Sequence, residues 1–317
     1  MRIVVDPSTL TCSNMGDVAM LQVAIQRLHA LWPTAQICVF TNAPNALALH
    51  CPNVCALSHD GRRLWFSDQA LLGGLDRRAP ESVRTAKQRL GKWLRRRSPR
   101  ILEGLQRVKA QLRHRRDDRR QDFLEQMRQV DLHVVSGAAL LNDKNTSDAV
   151  IVLQTMEMST RRGVPVAMVS QGVGPLRDPE LIGKARTVLP HVSLIALREA
   201  LAGETLLKSL GVDAGRMMVT GDDAVEMARA APSRESGSGI GVNLRVAKST
   251  DVPPAFIPTI RSSLQTAARQ FKAPLVPIPI AFHSAADDPT WIRELLAGYD
   301  DDSDGGRHLA TPLEVIE

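Results

Sequence analysis

An alternation constrains this chain more than any other feature. Short apolar runs, many of them β-branched, recur along its first two-thirds at residues 2–6, 36–41, 54–57, 132–136, 166–170, 194–197 and 217–220. Helical spacing fills residues 17–31, 146–162, 179–188 and 199–210 between them. The runs are continuously apolar. A strand buried on one face only would carry a polar residue at every second position, so these predict parallel strands covered on both faces. Strand–helix–strand repetition then predicts a doubly wound α/β domain over residues 1–230.

Residues 231–238, APSRESGS, break the series and read as a linker by composition. A second series follows, with strands at 240–244 and 275–280 and helices at 254–271 and 289–296. An acidic turn at 300–306, a short run at 308–310 and a helix start at 311–317 complete it. Such domains usually run to about 100 residues or more. The expectation is therefore a partial C-terminal α/β domain over 239–317, and two Rossmann-like domains in all.

Charge is distributed unevenly. The chain carries 40 Lys and Arg against 34 Asp and Glu, a formal +6. Residues 84–120 alone hold 15 of the basic residues and 3 of the acidic ones, leaving 25 and 31 elsewhere. Basicity thus belongs to one insertion, at about 77–120, whose apolar residues follow helical spacing on either side of Pro99. It reads either as a helical pair with a solvated basic face or as an attachment to an anionic membrane surface. On such a surface each Lys or Arg contributes about 1 kcal/mol. Nucleic acid is set aside as a partner, because aromatic residues are only 3% and no recognised module is present. No stretch approaches the roughly 18 apolar residues of a spanning helix, and Asp6-Pro7 stops the first apolar run far short of a secretory leader. Cys12, Cys38, Cys51 and Cys55 show neither CxxC pairing nor metal spacing. Four reduced thiols in a cytoplasmic protein are expected.

Serine-hydrolase, P-loop, zinc-protease and kinase signatures are absent. Asp302-Ser303-Asp304 sits among acids and glycines and reads as a solvated turn, so no metal is implied. The informative residues lie in the loops at the carboxyl ends of successive strands, where open α/β sheets bind ligands. After the first strand, TCSNMGDVAM offers Asn14 and Gly16 for a turn of positive φ. Asp17 opens the next helix there, as an N-cap or as an acceptor of sugar hydroxyls. After the fourth strand, VVSGAALLND supplies Ser136 and Gly137. After the fifth comes VSQGVGPLR, which resembles a phosphate loop at first sight. Arg177 stands where a dinucleotide fingerprint has its third glycine, and Pro175 removes an amide that a phosphate cradle would use. It reads better as a turn that lets Gln171 and the backbone of Gly172 and Gly174 line a cleft. ALRE places Arg198 at the end of the sixth strand, and TGDDAVEM follows the seventh. In the second series GVNLR supplies Asn243 and Arg245, and IPIAFHSAADD supplies His283.

In this order, NMGD, SGAALLND, SQGVGPL, ALRE, VTGDDAVEM, GVNLR and PIPIAFHSAADD resemble the polysaccharide pyruvyl transferase family. That family's usual strings are N-x-GD, a GGG-like loop, Q-G-x-GP, LRD and a TxD before the linker. Two of them depart here, to Gly137-Ala138-Ala139 and to LRE. The family's late R-x-H motif follows a helix beginning like TPLEVIE, at which this sequence ends. The resemblance implies a GT-B-like pair of domains. It also implies transfer of the enolpyruvyl carbons of phosphoenolpyruvate to two hydroxyls of a bacterial surface glycan or its lipid-linked precursor.

Phosphoenolpyruvate carries a phosphate and a carboxylate, so such chemistry needs cationic forks, for which Arg198 and Arg245 are candidates. It also needs an acid to protonate the methylene carbon, and a base for the sugar hydroxyl proton. His283 suits the acid or a phosphate ligand, and Asp17 suits the base. No cofactor beyond the donor is called for. A nucleotide-sugar glycosyltransferase on the same scaffold, and a non-catalytic relative, are the competing readings.

Overall fold

The structure is a computed structural model that describes residues 1–66, 118–137, 140–230, 239–246, 253–283 and 286–299. Most of the basic insertion, Ala138 and Ala139, the linker and residues 300–317 lie outside the described residues.

Seven parallel strands form one sheet. They are β1 (Arg2–Pro7), β2 (Gln36–Thr41), β3 (Cys55–Ser58), β4 (Leu132–Ser136), β5 (Val166–Gln171), β6 (Leu194–Leu197) and β7 (Met217–Val219). Their spatial order is β3-β2-β1-β4-β5-β6-β7. The chain steps outward from β1 to one edge, then returns beside β1 and steps outward to the other. The reversal between β1 and β4 makes a switch point, where the outgoing loops part and leave a crevice at the carboxyl ends of the strands. The register brings those ends level, with Pro7 opposite Ser136.

Helices cover both faces, as the continuously apolar runs require. On one face α1 (Met15–Leu31) buries Val18, Leu21, Ile25 and Leu28 against Ile3, Val5, Ile37 and Val39. On the other face α3 (His59–Phe66) and α4 (Asp118–Arg128) close over Val4, Phe40 and Leu57 with Trp65, Phe123 and Met127. Ile3, Val4 and Val5 are all 0% exposed, and each such side chain contributes about 2 kcal/mol of burial. The far half of the sheet packs its Val135, Met168 and Ile195 with α5 (Thr146–Thr160) and α6 (Pro179–Val188) through Leu153, Met156 and Leu181. Three short helices complete the layer, α2 (Pro44–His50), α7 (Gly203–Ser209) and α8 (Ala224–Ala230).

The strand over Cys38 and Cys55 corrects one expectation. The parallel register of β2 and β3 sets these residues opposite each other, and they form a disulfide. Only Cys12 and Cys51 are free thiols, both buried. The pairing was invisible in sequence because the sheet, not a local spacing, brings the two together.

Beyond residue 239 a smaller α/β unit begins. β8 (Ile240–Val242) pairs in parallel with β9 (Leu275–Pro277), and α9 (Ile257–Phe271) and α10 (Asp288–Leu296) enclose Val242, Leu244, Leu275, Ile292 and Leu295 with them. The strand expected over 275–280 stops at Pro277, since Pro277 and Pro279 have no amide to donate to a ladder. A hairpin follows, β10 (Phe282–His283) with β11 (Ala286–Asp287). The chain between β9 and this hairpin docks on the first sheet at its switch point. The Phe282 amide donates to the Ser13 carbonyl (2.8 Å), the Met15 amide donates to the Ile280 carbonyl (2.9 Å), and Asn14 and Ala281 form an antiparallel bridge. Ile280 and Phe282 lean on the apolar cluster under α1. No helix among the described residues is long and apolar enough to cross a membrane.

Candidate functional site

The loop after β1 is fixed by accounting for its amides. Helix α1 leaves its first four N–H groups without intrahelical partners. The Met15 amide bonds Ile280, the Gly16 and Asp17 amides bond the Asn14 side-chain oxygen (3.0 and 3.3 Å), and the Val18 amide bonds the Asn14 carbonyl. Asn14 is therefore the N-cap, and its φ of −124° is extended rather than positive. The expectation of a positive-φ turn at Asn14 and Gly16 is thus corrected: Gly16 is the second residue of the helix. With the Met15, Gly16 and Asp17 amides all engaged, this terminus offers an anion no free row of amides. Its cap also frees the Asp17 carboxylate, which would otherwise have been the natural cap.

Asp17 is half-buried, and burial pushes its carboxyl above the ordinary aspartate value. The Ser8 hydroxyl facing it and then the charges of Arg245, Arg198 and His283 pull it part of the way back. These four groups come from β1's exit, β8's exit, β6's exit and β10, and both α/β units contribute. The charges of Arg198, Arg245 and His283, from the exits of three strands, thus all act on the Asp17 carboxylate.

Each cation is held. Arg198 sits at the end of β6, where its amide donates to the Gln171 carbonyl (3.1 Å) and its Nη1 lies 3.4 Å from an Asp222 oxygen. Its guanidinium lies against the backbone at Gly172. A Cβ there would come 2.9 Å from Nε and 3.0 Å from Nη2, so this glycine makes room for the arginine. Arg245 presents Nε and Nη2 to the two oxygens of Asp288, each at 3.2 Å, in a bidentate fork. Asn243 donates to the Ile278 carbonyl (2.7 Å) and to Asp288 (3.3 Å), so it braces this unit beside the fork.

Gln171 is corrected. Its side chain is 0% exposed, and Nε2 is shared among the carbonyls of Val169 (2.9 Å), Gly137 (3.0 Å) and Val135 (3.2 Å). It staples the ends of β4 and β5 from inside and does not line a cleft. Ser136 is likewise buried, at the carboxyl end of β4, while Gly137 takes φ +76° with Met20 directly beneath it. Gly174 takes φ +97°, and a Cβ there would come 2.9 Å from the Leu206 side chain. The loops after β4 and β5 are tied side by side. The Gly174 amide bonds the Leu141 carbonyl (2.8 Å), and Asp143 accepts from the Arg177 and Asp178 amides (2.9 and 3.1 Å). Those amides hold the Asp143 carboxyl below its ordinary value.

Sequence reasoning passed over two residues. Ser8 carries no motif. Asp288 stands in the string ADDPT, where an acid before Pro at a helix start was a capping signal. Glu199, the departure in ALRE, accepts from the Ala202 amide at 3.3 Å and so shapes the turn into α7. Among the described residues no group of three or more His, Cys, Asp or Glu side chains is placed to hold a metal ion.

A parallel sheet with a second α/β unit docked at its switch point, and a charged site drawn from both, defines a GT-B-like two-unit protein. Solved structures share this fold. The chain superposes on a UDP-GlcNAc 2-epimerase from Neisseria meningitidis, solved bound to UDP-GlcNAc, with TM-score 0.51 and 13% identity, over 100% of this chain and 75% of that one. A putative UDP-N-acetylglucosamine 2-epimerase from Listeria monocytogenes gives TM-score 0.50 and 11% identity, over 95% of this chain and 67% of that one. No curated protein matches the sequence. The profile of the polysaccharide pyruvyl transferase family matches residues 14–309, from the α1 cap onward. This chain belongs to that family.

Proposed function

We propose that the protein transfers the pyruvyl group of phosphoenolpyruvate to two hydroxyls of a sugar in a bacterial surface glycan or its lipid-linked precursor. The observation that carries this reading is the convergence of Arg198 and Arg245 with Asp17 and His283 at the switch point. Two guanidinium groups suit a ligand with both a phosphate and a carboxylate. A carboxylate made more basic by burial suits the removal of a hydroxyl proton.

In the reaction His283 gives a proton to the methylene carbon, which makes C2 electrophilic. One sugar hydroxyl attacks C2, and its proton passes to Asp17. The second hydroxyl then forms the other C2–O bond while the bond from C2 to the phosphate oxygen breaks. Of the two hydroxyl protons, one replaces that given by His283 and the other leaves with phosphate. Arg198 and Arg245 hold the anionic groups throughout and stabilise the departing phosphate.

Calorimetric titration with phosphoenolpyruvate and, separately, with a UDP-sugar tests the donor. Phosphoenolpyruvate is expected to bind, and Arg198→Ala to weaken it by about tenfold or more through loss of a charge-assisted contact. Binding of the UDP-sugar alone would overturn the pyruvyl reading in favour of nucleotide-sugar transfer. In this reading the protein acts in the cytoplasm, with the basic segment at about 77–120 holding it to anionic lipid. Sedimentation with anionic vesicles at low and high salt tests the lipid contact separately.

A further inference from the structure

Asp288 is 0% exposed and closes the string PIPIAFHSAADD, in which the sequence gave a role only to His283. Five donors converge on its carboxylate. Oδ2 accepts from the amides of Ala281 (2.8 Å) and Ile280 (3.0 Å), from Asn243 Nδ2 (3.3 Å) and from Arg245 Nη2 (3.2 Å), and Oδ1 accepts from Arg245 Nε (3.2 Å). The Asp288 amide returns a bond to the Ala281 carbonyl (3.0 Å), so residues 281 and 288 close the base of the hairpin that carries His283. The residues on either side of Ala281 are those bonded to Ser13 and Met15, at the start of the helix that carries Asp17.

We propose that Asp288 is a positioning residue that sets Arg245 and His283 together in register with Asp17. The inference rests on the pyruvyl-transfer reading for the roles of those three groups, but its geometry does not. A buried carboxylate with five donors is more than a cap requires. A cap satisfies the amides of its own helix, whereas this one faces backward to the preceding turn and across to another strand's exit. Its charge also suits the task. Arg245 is only 29% exposed, and the bidentate fork fixes both the guanidinium plane and its direction.

Asp288→Asn keeps the shape of the side chain but turns one acceptor into a donor, which opposes the fork while one oxygen still serves the turn. Phosphoenolpyruvate affinity is expected to fall about tenfold with the circular dichroism spectrum unchanged. Combining Arg245→Ala with Asp288→Asn is expected to cost clearly less than the sum of the two losses, because both break the same fork. Additive losses, or wild-type affinity in Asp288→Asn, would overturn the proposal. A second measurement uses the free protein. The ring-proton resonance of His283, assigned by its disappearance in His283→Gln, should move in Asp288→Asn. An unmoved resonance would also overturn the proposal. Asp288→Glu, which keeps the charge on a longer arm, is the second variant and has the same expected pattern. Failure of the wild-type protein to bind phosphoenolpyruvate would count against the donor assignment alone, and the resonance would then decide the positioning role.

Discussion

Gly172→Ala separates a functional role for the loop after β5 from a structural one. The new methyl carbon would stand 2.9 Å from Arg198 Nε, 3.0 Å from Nη2 and 3.3 Å from Cζ. Non-bonded carbon contacts begin near 3.5 Å, so the guanidinium must retreat by about 0.5 Å or swing aside. The guanidinium can give way, since its hydrogen bond to Asp222 is already 3.4 Å long. The backbone resists even less, because Gly172 is not among the residues of positive φ. The fold should therefore tolerate the change within about 1 kcal/mol, and restriction of the unfolded chain works in its favour. Misplacing a binding group by about 1 Å can cost about a hundredfold in rate, so this smaller displacement should cost about tenfold in donor affinity or in kcat/KM. Calorimetry with phosphoenolpyruvate beside a thermal melt measures both sides. Gly174→Ala is the contrast. At φ +97° with Leu206 at 2.9 Å it should cost about 1–3 kcal/mol of stability. If Gly172→Ala binds the donor as tightly as the wild type, Arg198 does not hold the donor from its place against that glycine.

Other consequences concern charge and buried polar groups. Burial raises the folded-state pKa of Asp17 above its unfolded value, so its stabilising contribution is complete below the unfolded value and is lost as pH rises through the folded one. At neutral pH Asp17→Asn should therefore raise the melting temperature while lowering transfer by about 10²-fold or more, and a lower melting temperature would refute the sign. His59 and His133 behave oppositely, since burial pushes each down to about 4. Their contribution is whole above the unfolded value near about 6.5 and disappears as pH falls toward the folded one, so stability should decline through that window. His133→Asn should flatten the decline in acid denaturation curves, and an unchanged slope would exclude His133 as its source. Gln171→Leu should cost about 2–3 kcal/mol in chemical denaturation through the three carbonyls it leaves without that amide, and a neutral result would mean that the staple is dispensable.

The sheet was legible in the sequence because burial on both faces leaves a mark that no other environment leaves. The expectations for β2, β4 and β6 agree with the structure residue for residue, and those for β1, β5 and β7 differ by one residue at an end. Helices α2, α3, α4 and α8 escaped notice. α2 is only 7 residues long and buries only Leu47 among its residues, too little to leave a period. α3 follows β3 directly and hides Arg62 in the interior, bonded to Asp6 and stacked 4.3 Å over the Phe40 ring. A buried arginine reads as surface in any hydropathy pattern. Arg198, Arg245 and His283 were legible as candidates from their places at strand ends, and Asp17 from its place at the start of a helix. Gln171 was misread because a glutamine beside two glycines looks the same whether its amide faces a ligand or three carbonyls. Asp288 was passed over for a related reason: its partners lie on elements whose approach no local spacing encodes.

The two bonds from Phe282 to Ser13 and from Ile280 to Met15 have a mechanical meaning. They lie next to Asp17, at the start of α1. Relative motion of the units must either break both bonds or turn about them, as covers turn about a spine. Residues 13–15 and 280–282 are thus a seam of backbone bonds between the two units, set beside the start of the helix that carries Asp17.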